Sequence, residues 1–175
     1  MAEPVSIRAM LEPDLLGYKL LRDAMLTRYP DAFTSDAETE SRRDLASYRT
    51  RLTGGANGGT LFTLLALDHG QVVGAVTCER EPRRKVRHIA HLIGMMVADS
   101  HRGRGIGRAL LAAAIDRLRH TPGLALVTLT VTASNATAVG LYASAGFTRY
   151  GQLADAIRLP DGNRLAKDLM SLRLD

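Results

Sequence analysis

Arg102-Gly103-Arg104-Gly105-Ile106-Gly107 lies between an apolar run at 92–97 and the stretch Arg108-Ala109-Leu110-Leu111-Ala112-Ala113-Ala114-Ile115. The run reads as a β-strand and the stretch as a helix, so the hexapeptide is a strand-to-helix turn. Glycine at three of its six positions lets the backbone adopt conformations closed to other residues and come close to a ligand. The first N–H groups of the helix have no intrahelical acceptor and point out of its end. The helix dipole adds about half a positive charge there, and Arg102, Arg104 and Arg108 add cationic side chains. Such a turn suits a phosphate or pyrophosphate.

Three phosphate-binding patterns compete for it. The P-loop string Gly-x-x-x-x-Gly-Lys-Ser/Thr is absent. The dinucleotide fingerprint Gly-x-Gly-x-x-Gly fails, because the glycines at 103, 105 and 107 are spaced two and two, and it belongs after the first strand of a βαβ unit rather than past mid-chain. The pattern Arg/Gln-x-x-Gly-x-Gly/Ala is met by Arg102, Gly105 and Gly107. A plain glycine-rich turn with solvated arginines stays open on these six residues alone. An arginine-glycine RNA-binding string would be repeated and disordered, and this one is neither.

The chain has 175 residues, enough for one domain, 1–175, with a real core. No apolar run approaches the roughly 20 residues of a membrane span, and 1–10 lacks the basic-then-apolar layout of a signal peptide. A single cysteine, Cys78, excludes an internal disulfide framework, so a cytoplasmic location is expected. A net charge of +5 suits a polyanionic ligand or nucleic acid. Three Phe, five Tyr and no Trp leave little material for base stacking, and no Cys/His cluster has zinc spacing. Neither a nucleic-acid partner nor a metal is expected.

Along the chain, 5–9 reads as a strand. Glu12-Pro13-Asp14 opens a helix carrying Leu15, Tyr18, Leu21 or Arg22, and Met25 at helical spacing. Ser35 and Glu38 read as a capping box for a second helix with Leu45, Tyr48 and Leu52 on its buried stripe and a Glu38–Arg42 pair on its solvated face. The glycine-rich stretch 54–59 is a loop, with a second phosphate cradle as its minor reading. Strands at 60–67 and 71–80 meet at Asp68-His69-Gly70. The basic stretch 81–85 reads as a solvated hairpin tip, and 86–97 as a long strand. A helix over 104–120 would bury Gly107, Leu111, Ala114 and Leu118. A strand at 124–131, nearly all apolar or β-branched, precedes a helix at 135–145 stopped by Gly146. Strands at 147–157 and 164–172 close the chain as a hairpin.

The C-terminal half carries a second signature. After the strand come Asn135, Ala138, Leu141-Tyr142 and Gly146-Phe147, an Asn-x-x-Ala-x-x-Leu-Tyr-x-x-x-Gly-Phe pattern. Both motifs, on the expected elements, resemble the GCN5-related N-acetyltransferase (GNAT) family. The resemblance covers roughly 86–150 by motif and the whole chain by element order. It implies an α/β acyl-CoA N-acyltransferase fold, with a mixed, mostly antiparallel sheet flanked by helices. It also implies direct transfer of an acetyl group from acetyl-coenzyme A to a small-molecule or protein amine through a tetrahedral intermediate, and a homodimer as the family habit.

In that family two central strands splay and the pantetheine arm enters the gap. The resemblance gives the backbone of Met95 and Val97 the pairing with the arm, and the Val97 N–H the thioester carbonyl. The pyrophosphate falls to the turn formed by Arg102, Gly103, Arg104, Gly105, Ile106, Gly107 and Arg108. Asn135 either bonds the pantetheine or caps the helix, and Tyr142 either protonates the departing thiolate or packs. The general base is often a Glu on the long central strand; counting back from Arg102, that position is His91. A histidine can serve near neutral pH, although one on an apolar strand is also an ordinary core residue. Glu79 is the next candidate, with His88 and a water-mediated route open. Cys78 reads as structural. The rival from another class is a non-catalytic acyl-CoA-binding sensor or scaffold.

Overall fold

The computed structural model describes residues 5–54 and 60–175. The glycine-rich loop read at 54–59 therefore lies, apart from Gly54, outside the described residues. The strands are β1 (Ser6–Ala9), β2 (Thr60–Asp68), β3 (Gln71–Arg80), β4 (Ile89–Val97), β5 (Leu126–Thr132), β6 (Thr148–Arg158) and β7 (Arg164–Arg173). The α-helices are α1 (Leu15–Arg28), α2 (Ala37–Ser41), α3 (Ile106–Arg119) and α4 (Ala136–Ser144). In the described residues the strands form one sheet in the order β1-β2-β3-β4-β5-β7-β6. Each neighbouring pair is antiparallel except β4 and β5, which run parallel. This is the mixed, mostly antiparallel sheet expected from the two motifs.

Helices cover both faces. Along β2, Leu64 and Ala66 join a core with Leu110, Leu111, Ala114 and Leu118 of α3. Leu65 and Leu67 join a separate core with Tyr18 and Met25 of α1 and with Tyr48. Alternate side chains leave a strand on opposite faces, so a strand buried on both reads as one apolar run. The β2–β3 hairpin turns on His69 (φ 48°) and Gly70 (φ 79°); positive φ at both central residues matches the twist of the flanking strands.

Four expectations need correction. The second helix is broken: Asp36, not Ser35, caps α2, its Oδ1 accepting from the Thr39 N–H at 2.8 Å, and Leu45–Arg51 is a separate 3-10 segment. The cause is a buried cation on α1. Arg22 Nε donates to Glu40 Oε2 at 2.8 Å, and the same oxygen accepts from the Tyr48 hydroxyl at 2.9 Å. In one straight helix Glu40 and Tyr48 would sit about 12 Å apart along the axis; breaking it brings them together. The predicted Glu38–Arg42 pair does form, fully in solvent.

The strand expected at 86–97 begins at Ile89. Residues before it form a turn, with Val86 N–H bonded to Arg83 O and Ile89 N–H to Val86 O. Likewise β5 begins at Leu126, because Pro122-Gly123 closes a turn bonded from Leu124 N–H to Thr121 O. Finally, α3 starts at Ile106 and buries Ile106, Leu110, Leu111, Ala114, Ile115 and Leu118. Gly107 is half-buried and off that stripe.

Candidate functional site

After β4 the chain makes a 3-10 turn, Asp99–His101, and then the glycine turn. Gly103 and Gly105 have φ of +74° and +77°, and Gly105 is the N-cap of α3. A Cβ at either would meet nothing within 4 Å, so these glycines are required by backbone conformation rather than space. Among the described residues, no protein group accepts from the N–H groups of 103–108. Arg102 bonds Asp99 at 3.1 Å and stacks over the Tyr29 ring at 4.1 Å. Arg104 reaches Asp68 at 3.4 Å, a carboxylate that also bonds His101 Nε2 at 2.8 Å. The His101 hydrogen bond is the main cause of the lowered Asp68 pKa. Arg108 has no carboxylate partner among the described residues.

Next to this turn the sheet opens. β4 and β5 pair at Ile89↔Leu126, Ala90↔Val127 and His91↔Thr128, and at no later position among the described residues. Beyond them β4 follows β3 and β5 follows β7. A bulge in β4 aids the divergence: one residue of β3, Val76, faces two of β4, Gly94 and Met95, between the pairs Ala75↔Met96 and Thr77↔Ile93, with Gly94 at φ +60°. The Ala98 N–H donates to Val73 O at 2.8 Å. Strand alternation then turns the backbone groups of Val97 and Met95 away from β3, toward the gap. A Cβ on Gly107 would contact Met95, Val97 and Leu141 at 3.6–3.8 Å, so the start of α3, the end of β4 and α4 converge beside the gap.

Helix α4 is set by its two ends. Asn135 Oδ1 accepts from the Ala138 N–H at 3.1 Å, the cap reading of that residue. At the other end Gly146 (φ +96°) follows the last turn, Phe147 N–H bonds Tyr142 O, and Gly146 N–H bonds Ala143 O. That is a Schellman motif, whose apolar contact is the edge-to-face Tyr142–Phe147 pair at 5.9 Å. Tyr142 is buried, and burial pushes its phenol up to about 12.

On the α1 side the divergent strands open a cleft of about 380 Å³. His91 to Gly94 and Thr128 to Thr130 form its walls, residues 32–34 one rim, and Tyr150 and Lys167 the other. His91 is held at both nitrogens: Nδ1 lies 2.7 Å from Thr128 Oγ1 and Nε2 lies 3.1 Å from Glu81 Oε1. The Glu81 carboxyl is lowered chiefly by this histidine contact. Glu79 stands opposite His91 in register on the same face, but its carboxylate accepts from Arg51 at 2.8 Å and does not line the cleft. His88 is exposed in the turn before β4. Cys78 is fully buried and burial pushes its thiol up to about 12, so it is no ready thiolate.

Glu81, Thr128 and Lys167 were not singled out in the sequence. Glu81 stands two residues beyond Glu79, just past the end of β3, and β5 alternates threonine with apolar residues, so Glu81 and Thr128 had a period-two signal. Lys167 had none. Among the described residues no group of His, Cys, Asp and Glu is placed to hold a metal ion, and no helix is long and apolar enough to cross a membrane.

Comparison with known proteins agrees with this geometry. The chain is similar to N-alpha-acetyltransferase 30 of Schizosaccharomyces pombe, 28% identical over 92 residues, which are 53% of this chain and 61% of that protein; the match thus spans about three fifths of the relative's length. It is similar to the solved ribosomal-protein-alanine N-acetyltransferase of Brucella melitensis, with 28% identity, a TM-score of 0.82 and coverage of 96% and 99% of the two chains. It shares the fold of a GNAT superfamily phosphinothricin acetyltransferase from Sinorhizobium meliloti solved with AcCoA, with 18% identity, a TM-score of 0.83 and coverage of 98% and 89%. The sequence model of the Acetyltransferase (GNAT) family matches residues 20–147, and the chain belongs to that family.

Proposed function

We propose that this chain is a single-domain N-acetyltransferase that moves the acetyl group of acetyl-CoA to a primary amine by direct transfer. The observation that carries this reading is the parting of β4 and β5 beyond the His91–Thr128 pair, in a gap that leads to the unengaged N–H groups of 103–108. The turn suits a diphosphate, and the unpaired backbone of Met95 and Val97 suits an extended, amide-bearing arm. Acetyl-CoA supplies an acyl group already activated as a thioester.

The chain's own residues supply the rest. The Val97 N–H is the candidate donor to the thioester carbonyl. His91 is the candidate base. With Glu81 ionised and acceptor-only, Nε2 carries the hydrogen and Nδ1 accepts from the Thr128 hydroxyl. An amine bonded to Thr128 Oγ1 can therefore lose its proton to that oxygen while the threonine proton moves to Nδ1. Glu81 then stabilises the imidazolium that forms. Tyr142 keeps its proton at neutral pH, since its pKa stands at about 12. Against a thiol near ~8.5 it is a weak proton donor, so it assists the departing sulfur chiefly by a hydrogen bond. Asn135 spends its carbonyl on the helix cap, leaving its amide nitrogen for the arm.

The test is thiol release from acetyl-CoA in the presence of an amine panel, alongside calorimetric titration with coenzyme A. Amine-dependent release is expected. Tight coenzyme binding with no turnover on any amine would instead make the protein an acyl-CoA sensor.

A further inference from the structure

Among the described residues no aspartate or glutamate lines the cleft, yet Lys167 does. Its ammonium lies 2.5 Å from Thr34 Oγ1 and 3.4 Å from Thr130 Oγ1, and it makes no ion pair with a carboxylate among the described residues. The neighbouring Asp168 offers it nothing: it leaves β7 on the opposite face and accepts from Arg149 and Gln152. Glu81 is held by His91 and Arg83, and Glu79 by Arg51. A half-buried ammonium answered only by neutral hydroxyls is a charge awaiting a counter-charge; consistent with that, desolvation lowers its pKa.

Resting on the acetyl-transfer reading above, we propose that Lys167 binds a carboxylate of the acceptor, so that the acceptor is a small primary amine carrying a carboxylate. The cleft volume is that of a small-molecule site. Thr128, which meets the amine, and Thr130, which touches Lys167, are two residues apart on one face of β5, a separation of about 7 Å. Amine and carboxylate are then several bonds apart, as in a γ- or δ-amino acid or the side-chain carboxylate of an acidic amino acid. A fixed ammonium facing the amine would in turn repel diamines.

The experiment uses aminoalkanoic acids from two to six carbons, each paired with its amide, on wild type and Lys167→Gln. Calorimetry reads acceptor binding, and thiol release reads transfer. Coenzyme A affinity and circular dichroism check that the variant is folded. Wild type should prefer acid over amide by tenfold or more, with an optimum at four or five carbons, and the preference should fall toward one in Lys167→Gln. Lys167→Glu should reverse it in favour of the amide. Equal use or binding of acid and amide by wild type, or a preference that survives Lys167→Gln, overturns the proposal. Acid binding that depends on Lys167 but is followed by no transfer keeps the subsite and refutes the acetyltransferase reading instead.

Discussion

The two sides of the sheet opening are built from different materials. On the proposed coenzyme side, the glycine turn, the start of α3 and the Schellman end of α4 are backbone devices. They depend on positive φ at Gly103, Gly105 and Gly146 and on N–H groups left over at a helix start. On the proposed acceptor side, residues 30–52 and the β6–β7 hairpin are held by side chains: the Arg22–Glu40–Tyr48 cluster, the Arg51–Glu79 pair and the Lys167–Thr34 contact. The first side is stiff by local conformation and the second by long-range polar pairing. Substitutions should therefore damage the first through ligand affinity and the second through stability.

The largest effect is expected at Glu40. Burial alone would raise its pKa, but hydrogen bonds from Arg22 and Tyr48 outweigh it and lower it to about 2. Because the folded value lies below the unfolded one, its stabilisation is complete above about pH 4.5 and is lost as pH falls toward 2. Glu40→Gln leaves Arg22 buried without its counter-charge and should cost about 3 kcal/mol in urea melts at pH 7. The difference from wild type should shrink below pH 4. A loss under 1 kcal/mol would mean that the acceptor side does not rest on this cluster.

Next comes His91. Its replacement by Ala should lower kcat/KM about a hundredfold, within the range for general base catalysis, with coenzyme affinity little changed. If Glu79→Ala produces these effects and His91→Ala only destabilises, the base lies one strand over.

The coenzyme side is tested by Gly105→Val. Open space surrounds the position, so the damage comes from forcing a β-branched residue to φ +77° and from shielding the N–H groups a ligand would use. Coenzyme A affinity should fall more than tenfold, at least about 1.4 kcal/mol, while the left-handed strain, roughly 1–2 kcal/mol, lowers the melting temperature only modestly. Unchanged affinity in the folded variant removes the turn from the binding site.

The smallest effect is expected at Tyr142. Phe keeps the packing against Phe147 and removes only the hydroxyl. Because a phenol near 12 gives its proton up reluctantly, kcat should fall by only about tenfold, below the usual range of acid assistance, with KM and stability nearly constant. Wild-type kcat under conditions where chemistry limits the rate would make the tyrosine a packing residue.

The same contrast governs what could be read before folding. Gly105 and Gly146 announce themselves, because positive φ is a local demand that few residues meet. The strands and helices of the second half follow from period and turn chemistry, and so does the order of elements. Gly107 was misread because it lies four and seven residues before Leu111 and Ala114, which are on the true stripe, yet that stripe continues through Leu110 to Ile106 and leaves 107 at its edge. The break between α2 and the 3-10 segment was invisible, since Glu38, Arg42, Leu45, Tyr48 and Leu52 are consistent with one helix until Arg22 of α1 is known to need a buried partner.

By itself, then, the sequence determined the local geometry: a glycine turn at a helix start, a capped α4 and strands buried on both faces, all set by residues close in the chain. Tertiary structure alone decided which side chains meet across the opening. His91 finds Thr128 37 positions away, and Lys167 finds Thr34 133 positions away. Such contacts depend on strand order and on where β4 and β5 part, and no local pattern encodes a meeting between segments brought together only by the sheet.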